Sequence, residues 1–119
     1  MLILGGSAGT LARYFCSAAV YRLADARFPY GTMAVNLLGC FLIGFLVAIS
    51  DEKFLLGPDM RLLLLVGFCG AFTTFSTFIL ESANLIRDGE SFLALSNVLV
   101  SVTVGFIVFR LGVLLAELI

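Results

Sequence analysis

Histidine is missing from this sequence, and so is tryptophan. Without imidazole, proton relays built on histidine and metal sites ligated by it are excluded. Charge is scarce too. Asp, Glu, Lys and Arg make up 13% of the chain, about half the usual share in a soluble domain. The net charge is −1, so no basic surface argues for nucleic acid as a partner. The three cysteines, Cys16, Cys40 and Cys69, fall in separate apolar segments with no CxxC spacing. They read as small hydrophobes, not as a redox or metal centre. No nucleophile–base pair or ligand cluster is visible, and the chain is read as a non-enzyme. What remains in abundance is apolar: 61% of the residues are hydrophobic and the mean hydropathy is +1.15. The composition is that of a multi-pass, all-α membrane protein partnered by the lipid bilayer.

Four spans are expected in one domain, at about 2–21, 31–49, 62–80 and 91–110. The N-terminus lacks a basic stretch and a small-residue cleavage site followed by a soluble domain, so it is read as the first span and not as a signal peptide. This span opens with Gly5-Gly6-Ser7-Ala8-Gly9, small residues that let another helix approach closely. It also holds Arg13. An arginine at that depth either serves a functional site or snorkels to the interface. The second span, Gly31 to Ile49, carries no charge; its one strongly polar residue is Asn36, with Gly39 on the same face. Asn36 either glues two helices through its amide or points its NH₂ group at an anion. Asp51, Glu52, Lys53, Pro58 and Asp59 mark the second loop.

The third span has no charge from Leu62 to Leu80, yet its centre is not aliphatic. It reads Gly67-Phe68-Cys69-Gly70-Ala71-Phe72-Thr73-Thr74-Phe75-Ser76-Thr77-Phe78. Glycine frees the backbone to leave a helix, and Ser or Thr caps a restarted one. A helix that breaks near Gly70 and restarts near Thr73 or Thr74 is expected. Broken backbone at membrane depth survives only where it is buried in protein or lines a wet cavity. On the restarted helix Phe75 and Phe78 share a face. Glu81 follows, read as a solvated helix end or as a vestibule residue paired with an arginine. In the fourth span, ending near Arg110, Asn97, Ser101 and Gly105 recur at intervals of four and form one stripe, either a helix contact or a pore wall.

Four spans this short enclose no water-filled path alone, and the polar faces of spans two, three and four call for a second subunit. Loops one and three carry Arg22, Arg27 and Arg87; the other side carries Lys53, Arg61 and Arg110. Three against three gives no positive-inside bias. Insertion in both orientations, and an antiparallel homodimer built from the two, is the natural outcome.

On these residues the chain resembles the Fluc (CrcB) family of fluoride ion channels over its whole length. Gly5-Gly6-Ser7-Ala8-Gly9 with Arg13-Tyr14 is similar to the family's first-span motif. Gly31-Thr32-Met33-Ala34-Val35-Asn36 with Gly39 and Gly44 is similar to its second, and Gly67 through Phe78 to its broken third span. The last is the most specific. The resemblance implies a dual-topology antiparallel homodimer in the inner membrane, with two fluoride pores. It also implies a structural Na⁺ held by third-span backbone carbonyls, here those of Gly70 and Thr73. The implied anion pathway comprises Asn36, Phe75, Thr77, Phe78 and Ser101, with Arg13 and Glu81 as vestibule residues. Asn97 and Gly105 stand where the family often has an aromatic and a hydroxyl.

The implied chemistry is physically sound. Phenylalanine ring edges are positive and meet an anion without trapping it. Conduction needs several weak sites and not one deep well. Amide and hydroxyl donors replace part of a water shell, and carbonyl oxygens suit a hard cation. A small dual-topology four-span drug or cation exporter is the alternative. It would want an acid deep in a span, and the first span has none. A structural subunit without transport would need no broken, hydroxyl-rich span.

Overall fold

The computed structural model describes residues 1–51 and 53–119; Glu52, assigned above to the second loop, lies outside the described residues. The regular elements among the described residues are all helices, with no strand. Helix α1 is Leu2–Leu23 and α2 is Tyr30–Asp51. The third span is composite. It opens with a turn, α3 (Pro58–Arg61), continues as a π-helical stretch over Leu62–Cys69, and closes its first half with α4 (Gly70–Phe72). Its second half is α5 (Phe75–Arg87), and α6 is Ser91–Glu117.

Three of these segments are long and apolar enough to cross a membrane: Tyr30–Asp51, Pro58–Arg87 and Ser91–Glu117. Helix α1 has 22 residues but is not among them; Gly5, Gly6, Ser7, Gly9, Thr10 and Arg13 dilute its apolar character. It packs backbone to backbone against the third span. The molecule is 49 Å along its longest axis, enough to reach from one headgroup layer to the other. Ile3 and Leu4 on α1, and Phe92, Leu99 and Phe106 on α6, project outward, as helices facing lipid must.

Glycine sets the packing, as expected where no hydrophobic force drives helices together in lipid. A Cβ on Gly5 would overlap the carbonyl oxygen of Leu63, and one on Gly9 that of Phe68. These two glycines thus bring α1 backbone to backbone with the π-helical stretch. Helices α2 and α6 meet in the same way. A Cβ on Gly44 would overlap the Phe109 carbonyl, and one on Gly112 that of Phe41. Ala48, Val113 and Ala116 are buried between these helices, flanked by Phe45, Ile49 and Phe109.

That packing explains a departure at the C-terminal end. The fourth helix does not close at Arg110 but runs on to Glu117. Gly112, Val113 and Ala116 are buried against α2, so Gly112 serves as a close-contact residue inside the helix and not as a stop signal. At the same end, Arg61 pairs with Asp51 at 2.7 Å and ties the start of the third span to the end of α2. At the opposite end, loops one and three lie together, since Arg27, Pro29, Glu81 and Asp88 border one recess. In loop one, the backbone N–H of Arg27 donates to Asp25, and the Arg27 guanidinium lies beside it. The backbone hydrogen bond first, and the nearby positive charge with it, hold the Asp25 carboxyl below its usual range.

Candidate functional site

The break lies three residues beyond the glycine expected to make it. Gly70 is helical, with φ −62° and ψ −34°. The helix continues to Phe72, and the chain is extended at Thr73 (φ −87°, ψ 159°) and Thr74 (φ −149°, ψ 113°). Threonine, being β-branched, takes that conformation readily. Thr73 ends the first half by bonding twice to the Cys69 carbonyl, through its N–H at 3.1 Å and its hydroxyl at 3.0 Å. Thr74 caps the second half, its hydroxyl oxygen accepting from the Thr77 N–H at 3.3 Å.

Asn36 completes the break from α2. Its Oδ1 accepts from the Thr74 N–H at 2.7 Å, and its Nδ2 donates to the Thr74 carbonyl at 3.0 Å. The side-chain amide therefore stands in for a neighbouring peptide and satisfies groups that have no water to turn to. These two bonds realise one of the roles open to Asn36, that of joining two helices. An amide nitrogen carries two hydrogens, and Thr74 uses one of them.

Around this pair the candidate residues other than Glu81 fall into two recesses. The first, of about 350 Å³, brings together Asn36, Phe75, Phe78 and Ser101, with Gly70, Thr73 and Thr74 on its wall. The Phe75 and Phe78 rings have centroids 5.8 Å apart at 42°. They differ in setting, because Phe78 is 7% exposed and Phe75 is 75% exposed on the outer face. The second recess, of about 260 Å³, holds Arg13 and Thr77 among the hydroxyls of Thr10, Ser17, Thr32 and Thr74. Thr77 is thus apart from the ring pair, and Thr74 alone borders both recesses.

Glu81 is neither a solvated helix end nor paired with an arginine. Helix α5 runs six residues past it to Arg87, and it is half-buried. Its Oε1 accepts from the Thr32 hydroxyl at 2.8 Å and the Tyr21 hydroxyl at 3.2 Å; its Oε2 is buried without a partner. The ion pairs among the described residues are Arg27 with Asp25, Arg61 with Asp51 and Arg87 with Asp88.

The profile of the family described as CrcB-like protein, Camphor Resistance (CrcB), matches residues 1–113. The chain belongs to the CrcB family. A relative from Solidesulfovibrio magneticus, named fluoride-specific ion channel FluC, is 46% identical over 118 residues, which cover 99% of this chain and 94% of that protein. Proteins of the same name from Solibacter usitatus and Nitrosococcus oceani are 45% and 42% identical, covering 98% and 99% of this chain and 96% and 94% of their own lengths. With family membership and three helices able to cross a bilayer, the chain is a multi-pass integral membrane protein.

In this CrcB-family chain the α6 stripe divides along its length. Ser101 reaches the first recess, whereas Asn97 is 1% exposed and bonded to Ser82 on α5, and Gly105 packs against Cys40 on α2. Four residues escaped the sequence reading as site members: Tyr21, Thr32, Thr74 and Ser82. Thr32 had a signal, since it lies one helical turn before Asn36 on the same face. Ser82 lies one turn after Phe78 and donates to its carbonyl, a habit of serine in helices.

Proposed function

We propose that this chain is a fluoride-selective channel that works as an antiparallel homodimer with two pores, exports fluoride across the cell's inner membrane and so lowers cytoplasmic fluoride. One observation carries the reading. Two phenylalanine rings, an amide with a spare N–H and a hydroxyl meet in one recess beside a helix break. Such a wall offers an anion partial positive charge without a fixed cation, so that it binds weakly and leaves. The identity of the anion rests on the names of the relatives. Phe75, exposed on the outer face, is where a second copy would complete the pathway. Thr74 joins this recess to the one holding Arg13 and Thr77, and Glu81 lies beside Thr32 at its margin.

A structural Na⁺ belongs to the proposal. In an unbroken helix the amides of Thr74 and Thr77 would bond to the carbonyls of Gly70 and Thr73. Here Asn36 Oδ1 and Thr74 Oγ1 take those amides. The two carbonyls lose their helical donors, and carbonyl oxygen is what a hard cation prefers. Gly70 is exposed, on a face a second copy could cover. The ion would supply fixed charge where two such breaks meet.

The test is fluoride efflux from proteoliposomes, with membrane potential set by a potassium ionophore. Electrogenic efflux with no proton requirement is expected. Flux that demands a proton gradient would instead favour the exporter, and chloride passing as fast as fluoride would overturn the substrate. Accessibility labelling of single loop cysteines in cells tests the assembly: each loop is expected on both sides of the membrane, and one-sided labelling would exclude the antiparallel dimer.

A further inference from the structure

Asn97, Ser82 and Ser101 form a buried chain of hydrogen bonds whose direction is fixed by counting protons. The Ser82 hydroxyl donates to the Phe78 carbonyl at 2.8 Å. A hydroxyl has one proton, so toward Asn97 it can only accept. The group facing it at 3.0 Å must therefore be the Asn97 NH₂. The other end of the amide, Oδ1, then faces Ser101, whose hydroxyl donates to it at 3.3 Å. Ser101 too has a single proton. While that bond stands, Ser101 turns only lone pairs toward the recess it shares with Phe75 and Phe78, and lone pairs repel an anion.

We propose that Asn97 is a specificity-determining positioning residue, which holds the Ser101 proton away from the anion pathway and releases it only to an anion that competes for it strongly. The 3.3 Å separation is long for an O–H···O bond, so the hold is weak and an incoming acceptor can break it. A small, hard anion such as fluoride is a far better proton acceptor than chloride. The same Ser101 hydroxyl thus becomes a donor for the first and stays closed to the second. This discrimination requires that Asn97 not turn its amide around, which is what the Ser82 bond prevents. The inference rests on the fluoride-channel reading and adds to it a residue at a position that touches no recess wall itself.

The full chain is reconstituted, and fluoride and chloride efflux are measured for the wild type, Asn97→Leu, Ser101→Ala and the double variant, with size-exclusion profiles to monitor assembly. Asn97→Leu frees the Ser101 proton for any anion. The chloride-to-fluoride ratio is expected to rise about tenfold, within the range for residues sharing one hydrogen-bond network. Adding Ser101→Ala is expected to abolish that rise, which loss of packing alone would not do. A ratio unchanged in assembled Asn97→Leu, or a rise that persists in the double variant, overturns the proposal. Should Asn97→Leu fail to assemble, Ser82→Ala keeps the amide but unlocks its orientation. It is expected to move the ratio in the same direction by a smaller factor, and no movement overturns the proposal. Wild-type protein that passes no fluoride would overturn the channel reading itself, whereas normal fluoride efflux with an unmoved ratio overturns only the role of Asn97.

Discussion

The two halves of the third span are held by opposite means. The first half, α3 through α4, lies against α1 where Gly5, Gly9 and Gly67 let the two backbones touch. The second half, α5, is held by side-chain hydrogen bonds: Thr32 and Tyr21 to Glu81, and Asn97 to Ser82. Backbone contact through glycine is rigid, since the touching atoms are main-chain atoms that no rotamer change can move. Hydroxyl and amide contacts have alternatives, since protons and amides can reorient. The candidate recesses lie beside the break and along the adjustable half, where an ion needs donors that can be exchanged.

The strongest way to break this contrast is to put a side chain into the rigid half. In Gly9→Val the new Cβ would meet the Phe68 carbonyl oxygen, a backbone atom with nowhere to go. The cost is expected at or above about 3 kcal/mol, the upper end for overpacking. Assembled protein should vanish from size-exclusion profiles. Gly6→Ala on the same helix is the control, because nothing lies within 4 Å of its Cβ, and it should assemble normally. Equal behaviour of the two variants would show that backbone contact does not hold this half.

The junction between the halves comes next. Asn36→Leu removes both bonds to the Thr74 backbone and leaves a half-buried N–H and C=O unpaired. A loss of about 2 kcal/mol is expected, read as a lower unfolding temperature in detergent. Asn36→Asp keeps an acceptor for the Thr74 N–H but sets a charged oxygen against the Thr74 carbonyl, so it should lower the unfolding temperature as well. An Asp variant as stable as the wild type would mean that the bond from Asn36 to the Thr74 carbonyl contributes little. In the adjustable half, Phe78→Ile keeps most of the bulk and deletes the polarised ring edge. Fluoride efflux should fall roughly tenfold, as for a loss near 1.4 kcal/mol, with assembly retained. Retained wild-type efflux would remove Phe78 from the pathway.

The contrast also explains what could be read in advance. Long uncharged runs reveal spans because lipid tolerates little else, and a run of hydroxyls inside one reveals a break. The recess members Asn36, Phe75, Phe78 and Ser101 were legible because each is an oddity against an aliphatic background. The restart at Thr74 was legible from its hydroxyl, but the residue at which the first half ends was not. Glycine was the obvious place to leave the helix, but Gly70 keeps helical angles and the two threonines after it are extended. What decides this is a residue far away in sequence, since Asn36 reaches the Thr74 peptide and no other. Thr77 lies away from the ring pair it was expected beside for a related reason. With the break at Thr73 and Thr74, Thr77 faces α1 and Arg13, not the rings. Local composition says that a backbone breaks; a partner on another helix says where.

The smallest expected effect follows from that correction. If Gly70 were the hinge, a branched residue there would prevent folding. In the structure Gly70 has φ −62°, an ordinary helical value, and a Cβ added to it meets nothing within 4 Å. Gly70→Ala should therefore leave the unfolding temperature of the subunit within the ~0.5 kcal/mol typical of neutral surface changes. Gly70 nonetheless borders the recess of Phe75 and Phe78, on the exposed side of the span where a second copy is proposed to pack. A side chain there would weaken dimerisation while the helical fold persists. Circular dichroism together with crosslinking separates the two outcomes. Intact helicity with a weakened dimer places Gly70 at a subunit contact, and lost helicity would return the hinge to Gly70.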